Sequence, residues 1–116
     1  MKLTHQQMRL YAVTDRAWAA DEDTFFAQIE AAIDGGAGIV QLREKHASRE
    51  EFLRLAERFV ALCRRRGVVS IINDNVDIAA AVGADGVHVG QEDLEAGRAR
   101  ALLGPDKIIG VSTHSV

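Results

Sequence analysis

The charged residues Arg43, Lys45, Asp74 and Asp93 are spaced so that a parallel sheet would gather them at one end. Val68 to Ile72 is an apolar run rich in β-branched residues that leads directly into Asn73 and Asp74. Gly86-Val87-His88-Val89 leads in the same way into Gly90-Gln91-Glu92-Asp93. If Ile71 and Ile72 lie in one parallel strand and Val87 and Val89 in the next, both aspartates emerge at the carboxyl ends of neighbouring strands. That is where α/β sheets carry their chemistry. Two carboxylates there, with Arg43 and Lys45 at the end of the preceding strand, suit a divalent cation carrying a polyphosphate.

In Gln41-Leu42-Arg43-Glu44-Lys45, alternation along an extended segment puts Gln41, Arg43 and Lys45 on one side. A planar guanidinium beside a compact ammonium suits a diphosphate better than a lone carboxylate. The competing reading is a solvated fringe in which Glu44 pairs with a neighbour. Taken alone, Asp74 and Asp93 each read better as the cap of a following helix. Their shared position at strand ends, beside Arg43 and Lys45, points instead to the cation. His88 faces away from Val87 and Val89 and reads as a hydrogen-bonded packing residue. Ser112-Thr113-His114-Ser115 offers hydroxyls and an imidazole after a further strand, in a residue mix common in loops.

The elements that must position these groups follow from hydrophobic spacing. Leu10 to Val13 reads as a buried first strand with Thr14 and Asp15 at its carboxyl end, and residues 16 to 23 as a polar loop. From about Thr24, Phe26, Ile29 and Ile33, flanked by Phe25 and Ala32, form a helical face that stops at Gly35-Gly36. Ile39 to Leu42 is the second strand. Ser48-Arg49-Glu50-Glu51 has the form of a capping box, and Phe52, Leu55, Phe59 and Leu62 continue it as an amphipathic helix to Gly67. The third strand, a short helix from Val76 to Val82 stopped by Gly83, and the fourth strand follow. Leu94, Arg98, Ala101 and Leu102 suggest another helix closed by Gly104-Pro105, and Lys107 to Val111 a fifth strand.

Gly36-Ala37-Gly38-Ile39-Val40-Gln41-Leu42 and Gly83-Ala84-Asp85-Gly86-Val87-His88-Val89 enter strands at similar offsets, a faint repeat of one βα unit. The expected fold is α/β, one domain over residues 1–116 of (βα)8 barrel type. A closed barrel needs about 250 residues. The 116 residues fit about four βα units and a fifth strand, the first half of such a barrel.

Composition is that of a soluble domain, 47% hydrophobic and 27% charged, with net charge −3 and both signs interspersed, so no basic field argues for nucleic acid or an anionic membrane. Arg64-Arg65-Arg66 closes a helix, where cations complement the dipole. Met1 to Leu10 lacks the apolar core of a signal peptide, and no apolar run approaches the roughly 18 residues of a membrane span. The expected location is cytoplasmic. Cys63, the single cysteine, lies on the apolar side of its helix and reads as a small core hydrophobe.

Five blocks taken together, Leu10 to Asp15, Val40 to Lys45, Ile71 to Asp74, Gly83 to Asp93 and Ile109 to His114, resemble the successive blocks of the thiamine-phosphate synthase family in order and spacing. The resemblance implies a (βα)8 barrel that joins hydroxymethylpyrimidine diphosphate to thiazole phosphate with Mg²⁺ and releases pyrophosphate. It makes Gln41, Leu42, Arg43, Glu44 and Lys45 the pyrimidine-diphosphate stretch, with Arg43 and Lys45 as its charged contacts. Asn73 is a further polar contact, Ser112 a diphosphate contact, and Asp74 and Asp93 the magnesium ligands. Arg43, Lys45 and Ser112 then assist departure of the leaving group. The family's later lysine region and its glycine-rich loop for the thiazole phosphate have no counterpart in the sequence. Alternatives are the related thiazole tautomerase, with His114 as acid/base, and a non-catalytic half-barrel that binds diphosphate. An open half-barrel leaves strand edges and interior apolar side chains uncovered, so self-association is expected.

Overall fold

Five short β-branched segments pair in sequence order into one parallel sheet, β1-β2-β3-β4-β5. The structure, a computed structural model, describes residues 11–15, 19–89, 97, 100–104 and 106–111. The strands are β1 (Tyr11–Asp15), β2 (Ile39–Arg43), β3 (Val69–Asn73), β4 (Gly86–Val89) and β5 (Ile108–Val111), and between them run α1 (Glu22–Asp34), α2 (Arg49–Arg66) and α3 (Val76–Val82). Residues 97 and 100–103 are helical before β5.

The helices cover one face of the sheet. Val40, Leu42, Ile72, Val87 and Val89 pack there against Phe25, Ile29, Leu55, Phe59 and Ile78, all buried. Each such side chain contributes about 1.5–3 kcal/mol of transfer free energy. The opposite face carries a smaller apolar cluster, Ile39, Val69 and Ile71 with Ile108 against it. A doubly wound sheet would carry helices on both faces. Sequential strand order with helices on one side is the geometry of a barrel wall, so the fold is α/β of the barrel type.

Helix ends follow the sequence closely, with one exception. Ser48 Oγ accepts the Glu51 amide at 3.2 Å and Gly67, at φ 70°, ends α2 as anticipated. Helix α1 starts at Glu22 rather than near Thr24, because Asp21 caps it and accepts the Thr24 amide at 2.7 Å. Its first turn is acidic, so apolar spacing carries no sign of it. The outer surface of α1 and α2 is laced by ion pairs: Arg54 to Glu22 and Glu51, Arg58 to Glu22 and Asp23, and Arg66 to Glu30 and Asp34. Arg58 also lies 4.1 Å over the Phe26 ring. Cys63 is buried, and desolvation followed by the nearby Asp85 charge pushes its thiol up to about 12. Among the described residues no helix is long and apolar enough to cross a membrane.

Strand β1 departs from expectation. Tyr11 and Val13 are 46% and 44% exposed, because among the described residues no helix packs on their face of the sheet. Leu10 lies outside the described residues.

Candidate active site

Strand register sorts the helix-free face into rows. Tyr11, Ile39 and Val69 make the lowest, and Val13, Gln41, Ile71, Gly86 and Ile108 the next. At the carboxyl ends Asp15 faces Arg43, and Asn73 faces His88, which in turn faces Gly110. Arg43 stands one step past the Leu42 to Ile72 pair, at the height of Asn73. The sheet is thus apolar low down and polar at its carboxyl rim.

Gln41 joins the rows. It is 5% exposed, its Nε2 donates to the Tyr11 hydroxyl at 2.7 Å, and its Oε1 accepts from Asn73 Nδ2 at 2.8 Å. Three strands are thereby linked by one chain of neutral hydrogen bonds, which fixes the amide planes. Burial raises the Tyr11 phenol above its ordinary 10.0, and the Gln41 bond works against that rise. Thr14 Oγ1 donates to the Gln41 carbonyl at 2.8 Å and ties β1 to β2 at the same level.

Gly86 leaves room for the second row. A Cβ there would lie 2.3 Å from the Ile108 carbonyl oxygen and 2.8 Å from its Cβ, so only glycine lets β4 and β5 close at this point.

The sequence-predicted residues divide. Gln41, Arg43 and Asn73 come together on the helix-free face. Leu42 points the other way and its side chain is fully buried under the helices, so only its main chain can meet a ligand at the rim. Strand β2 ends at Arg43, so alternation does not carry through to Lys45. Instead the Glu44 carboxylate accepts the amides of His46 at 2.7 Å and Ala47 at 3.1 Å, which turns the chain and leaves Lys45 exposed on the bend.

Asp74 follows β3 directly, exposed and at φ 63°. Left-handed backbone costs a non-glycine residue about 1 kcal/mol or more, and aspartate tolerates it better than most. The Asp74 amide donates to the His88 carbonyl at 2.6 Å, so the β3 to β4 ladder holds the turn. The helix cap is Asn75, whose Oδ1 accepts the Ile78 amide at 2.9 Å. The Asp74 carboxylate therefore stands clear of the capping role that its sequence context allowed. Asp93, Ser112 and His114 lie outside the described residues. Among the described residues no three His, Cys, Asp or Glu side chains cluster to hold a metal by themselves.

Sequence reasoning assigned no role to Tyr11 or Asp15 and took His88 for packing. Register puts all three on the Gln41 face. The signal was alternation itself: Tyr11, Val13 and Asp15 share one side of β1, and His88 lies opposite two core valines. Only pairing shows that this side is the rim.

The described carboxyl rim thus brings guanidinium, amide, imidazole and carboxylate groups together on a parallel sheet of the barrel-wall type. The model of the family described as thiamine monophosphate synthase matches residues 10–116, and the chain belongs to that family. The thiamine-phosphate synthase of Alkaliphilus oremlandii is 54% identical over 117 aligned positions, covering 100% of this chain and 56% of its own. That of Chlorobium luteolum is 54% identical over 97 positions, covering 83% of this chain and 46% of its own. The thiamine phosphate pyrophosphorylase of Pyrococcus furiosus superposes with a TM-score of 0.80 at 33% identity, over 95% of this chain and 52% of its own. The chain spans about half the length of these relatives.

Proposed function

We propose that the chain supplies the pyrimidine-diphosphate side of a thiamine-phosphate synthase. The observation that carries this reading is the convergence of Gln41, Arg43 and Asn73 at the carboxyl rim, with Asp74 just beyond, in a member of that family. The hydrogen-bonded floor of Tyr11, Gln41 and Asn73 offers fixed donors and acceptors to a flat nitrogen heterocycle. Arg43 is the proposed charged contact to the diphosphate, with Lys45, exposed on the bend just after β2, as the second.

In the reaction, the bond from the pyrimidine methylene carbon to the diphosphate oxygen breaks and pyrophosphate leaves with the electron pair. The thiazole nitrogen then bonds that carbon, and no proton is lost. Arg43, Lys45 and Ser112 stabilise charge as it builds on the leaving group, and no protein nucleophile is required. Mg²⁺ fits the donors at the rim, since it takes hard oxygen ligands and is held by one or two carboxylates together with phosphate oxygens. Asp74 and Asp93 are its proposed ligands, and bound there it would neutralise charge on the diphosphate. The names of the relatives favour synthase over tautomerase.

The test is to incubate the purified chain with both substrates and Mg²⁺ and to follow pyrimidine-diphosphate binding alongside product formation. Binding that is lost in Arg43→Ala is expected, with little turnover from the chain alone. Failure to bind the pyrimidine diphosphate at millimolar concentration would overturn the proposal. Self-association belongs to the same reading, because Tyr11 and Val13 are exposed on a sheet face that no described helix covers. Light scattering that finds a compact monomer at micromolar concentration would contradict it.

A further inference from the structure

The end of β1 holds a carboxylate that the reaction does not need as a ligand. Asp15 and Arg43 are register partners on parallel strands and point to the same face. Arg43 Nε is shielded from solvent and makes no hydrogen bond among the described residues, with Asp15 Oδ2 3.7 Å away. The Asp15 side chain is 17% exposed and that of Arg43 39%, so the guanidinium is partly open to solvent although its Nε, the atom nearest Asp15, is shielded. A buried charged N–H without an acceptor is costly, and a gap about 0.8 Å beyond an ordinary hydrogen bond closes with a small side-chain movement. Contacts of this kind are often long in a ligand-free site and tighten when it fills.

We infer that Asp15 is a positioning residue that holds Arg43 by Nε, so that the two terminal nitrogens of the guanidinium point together at a diphosphate. This rests on the proposed diphosphate site and adds the residue that sets the direction of its fork. A bidentate contact needs the guanidinium plane fixed, and an arginine side chain is otherwise rotamer-rich.

The sign of one measurement separates positioning from simple electrostatics. Asp15 is a negative charge beside an anion site. If it acted only through that charge, Asp15→Asn would tighten the binding of inorganic pyrophosphate. If it positions Arg43, the nearly isosteric Asp15→Asn weakens binding by about three- to tenfold despite removing a repelling charge. Asp15→Glu, which keeps the charge on a longer arm, falls between. Calorimetry with inorganic pyrophosphate at fixed Mg²⁺ reads all three, and thermal melts check that the variants fold. In an Arg43→Ala background the loss should vanish, and Asp15→Asn should then leave affinity unchanged or raise it.

Tighter or unchanged binding by Asp15→Asn in the otherwise intact chain would overturn the inference, as would an equal loss in the Arg43→Ala background. Those results leave the diphosphate site standing so long as Arg43→Ala alone weakens binding. Absence of pyrophosphate binding by the unmodified chain, or no effect of Arg43→Ala, would overturn the site itself.

Discussion

Replacing Gln41 by methionine tests the rim at its most connected point. Methionine nearly conserves length and volume, so the change removes two hydrogen bonds while keeping the position filled. The bond from Asn73 Nδ2 at 2.8 Å is lost from a half-buried amide, and the bond to the Tyr11 hydroxyl at 2.7 Å from a side chain 46% exposed. A typical bond contributes about 1 kcal/mol net, and the tyrosine hydroxyl can recover water. The loss is therefore about 1–2 kcal/mol, which for a domain of this size lowers Tm by about 3–10 °C.

A second readout is local. Tyr11 is the only tyrosine, so the near-ultraviolet tyrosinate band in an alkaline titration reports it alone. Burial raises its folded value above 10.0, so neutral Tyr11 contributes stability that is present below that value and lost as pH rises past the folded one. Gln41→Met removes the donor that partly offsets the rise, so the titration moves further up. Gln41→Ala opens the site to water and moves it back down. An unchanged or lowered titration in Gln41→Met, with no loss of Tm, would refute the claim that Gln41 ties β1 to β3.

Gly86→Ala should destabilise by about 1–3 kcal/mol or more and disturb β5 first, since its Cβ would overlap the Ile108 backbone. Hydrogen exchange that finds β4 and β5 as protected as before would contradict this. Glu22 is held down to about 2 from its ordinary 4.5, chiefly by its bond to Arg54. Its contribution is present above about pH 4.5 and fades as pH falls toward 2. Since the network is on the surface, Glu22→Gln should cost only about 1 kcal/mol or less near neutrality, and the stability difference from the parent should shrink on acidification. A difference that stays constant with pH would count against the ion pairs.

The sequence was informative where local rules act alone. The Ser48 cap, the buried stripe of α2 and the glycine stops at Gly67 and Gly83 all follow from nearest neighbours, and five β-branched runs between helices suffice for a parallel sheet. It was silent where the outcome depends on what stands opposite. Leu10 to Val13 looks buried because it is apolar, yet Tyr11 and Val13 face the open side. Alternation places Lys45 with Arg43 only if the strand continues, and the Glu44 carboxylate ends it by taking two amides of the next turn. The chain of bonds from Tyr11 through Gln41 to Asn73 spans three strands and needs their register. The Asn73-Asp74-Asn75 run offers three capping residues, and only backbone geometry assigns the cap to Asn75.

The proposed site stands most directly on the coupling between Mg²⁺ and pyrophosphate. A pair of aspartates holds a hard cation weakly, and a bound diphosphate completes its oxygen shell, so each should strengthen the other. Calorimetry of inorganic pyrophosphate binding to the purified chain should show affinity rising about tenfold or more when Mg²⁺ is added, with the gain lost when Asp74 and Asp93 are both replaced by alanine. Pyrophosphate affinity that is indifferent to Mg²⁺, or to removal of both aspartates, would contradict the proposed site.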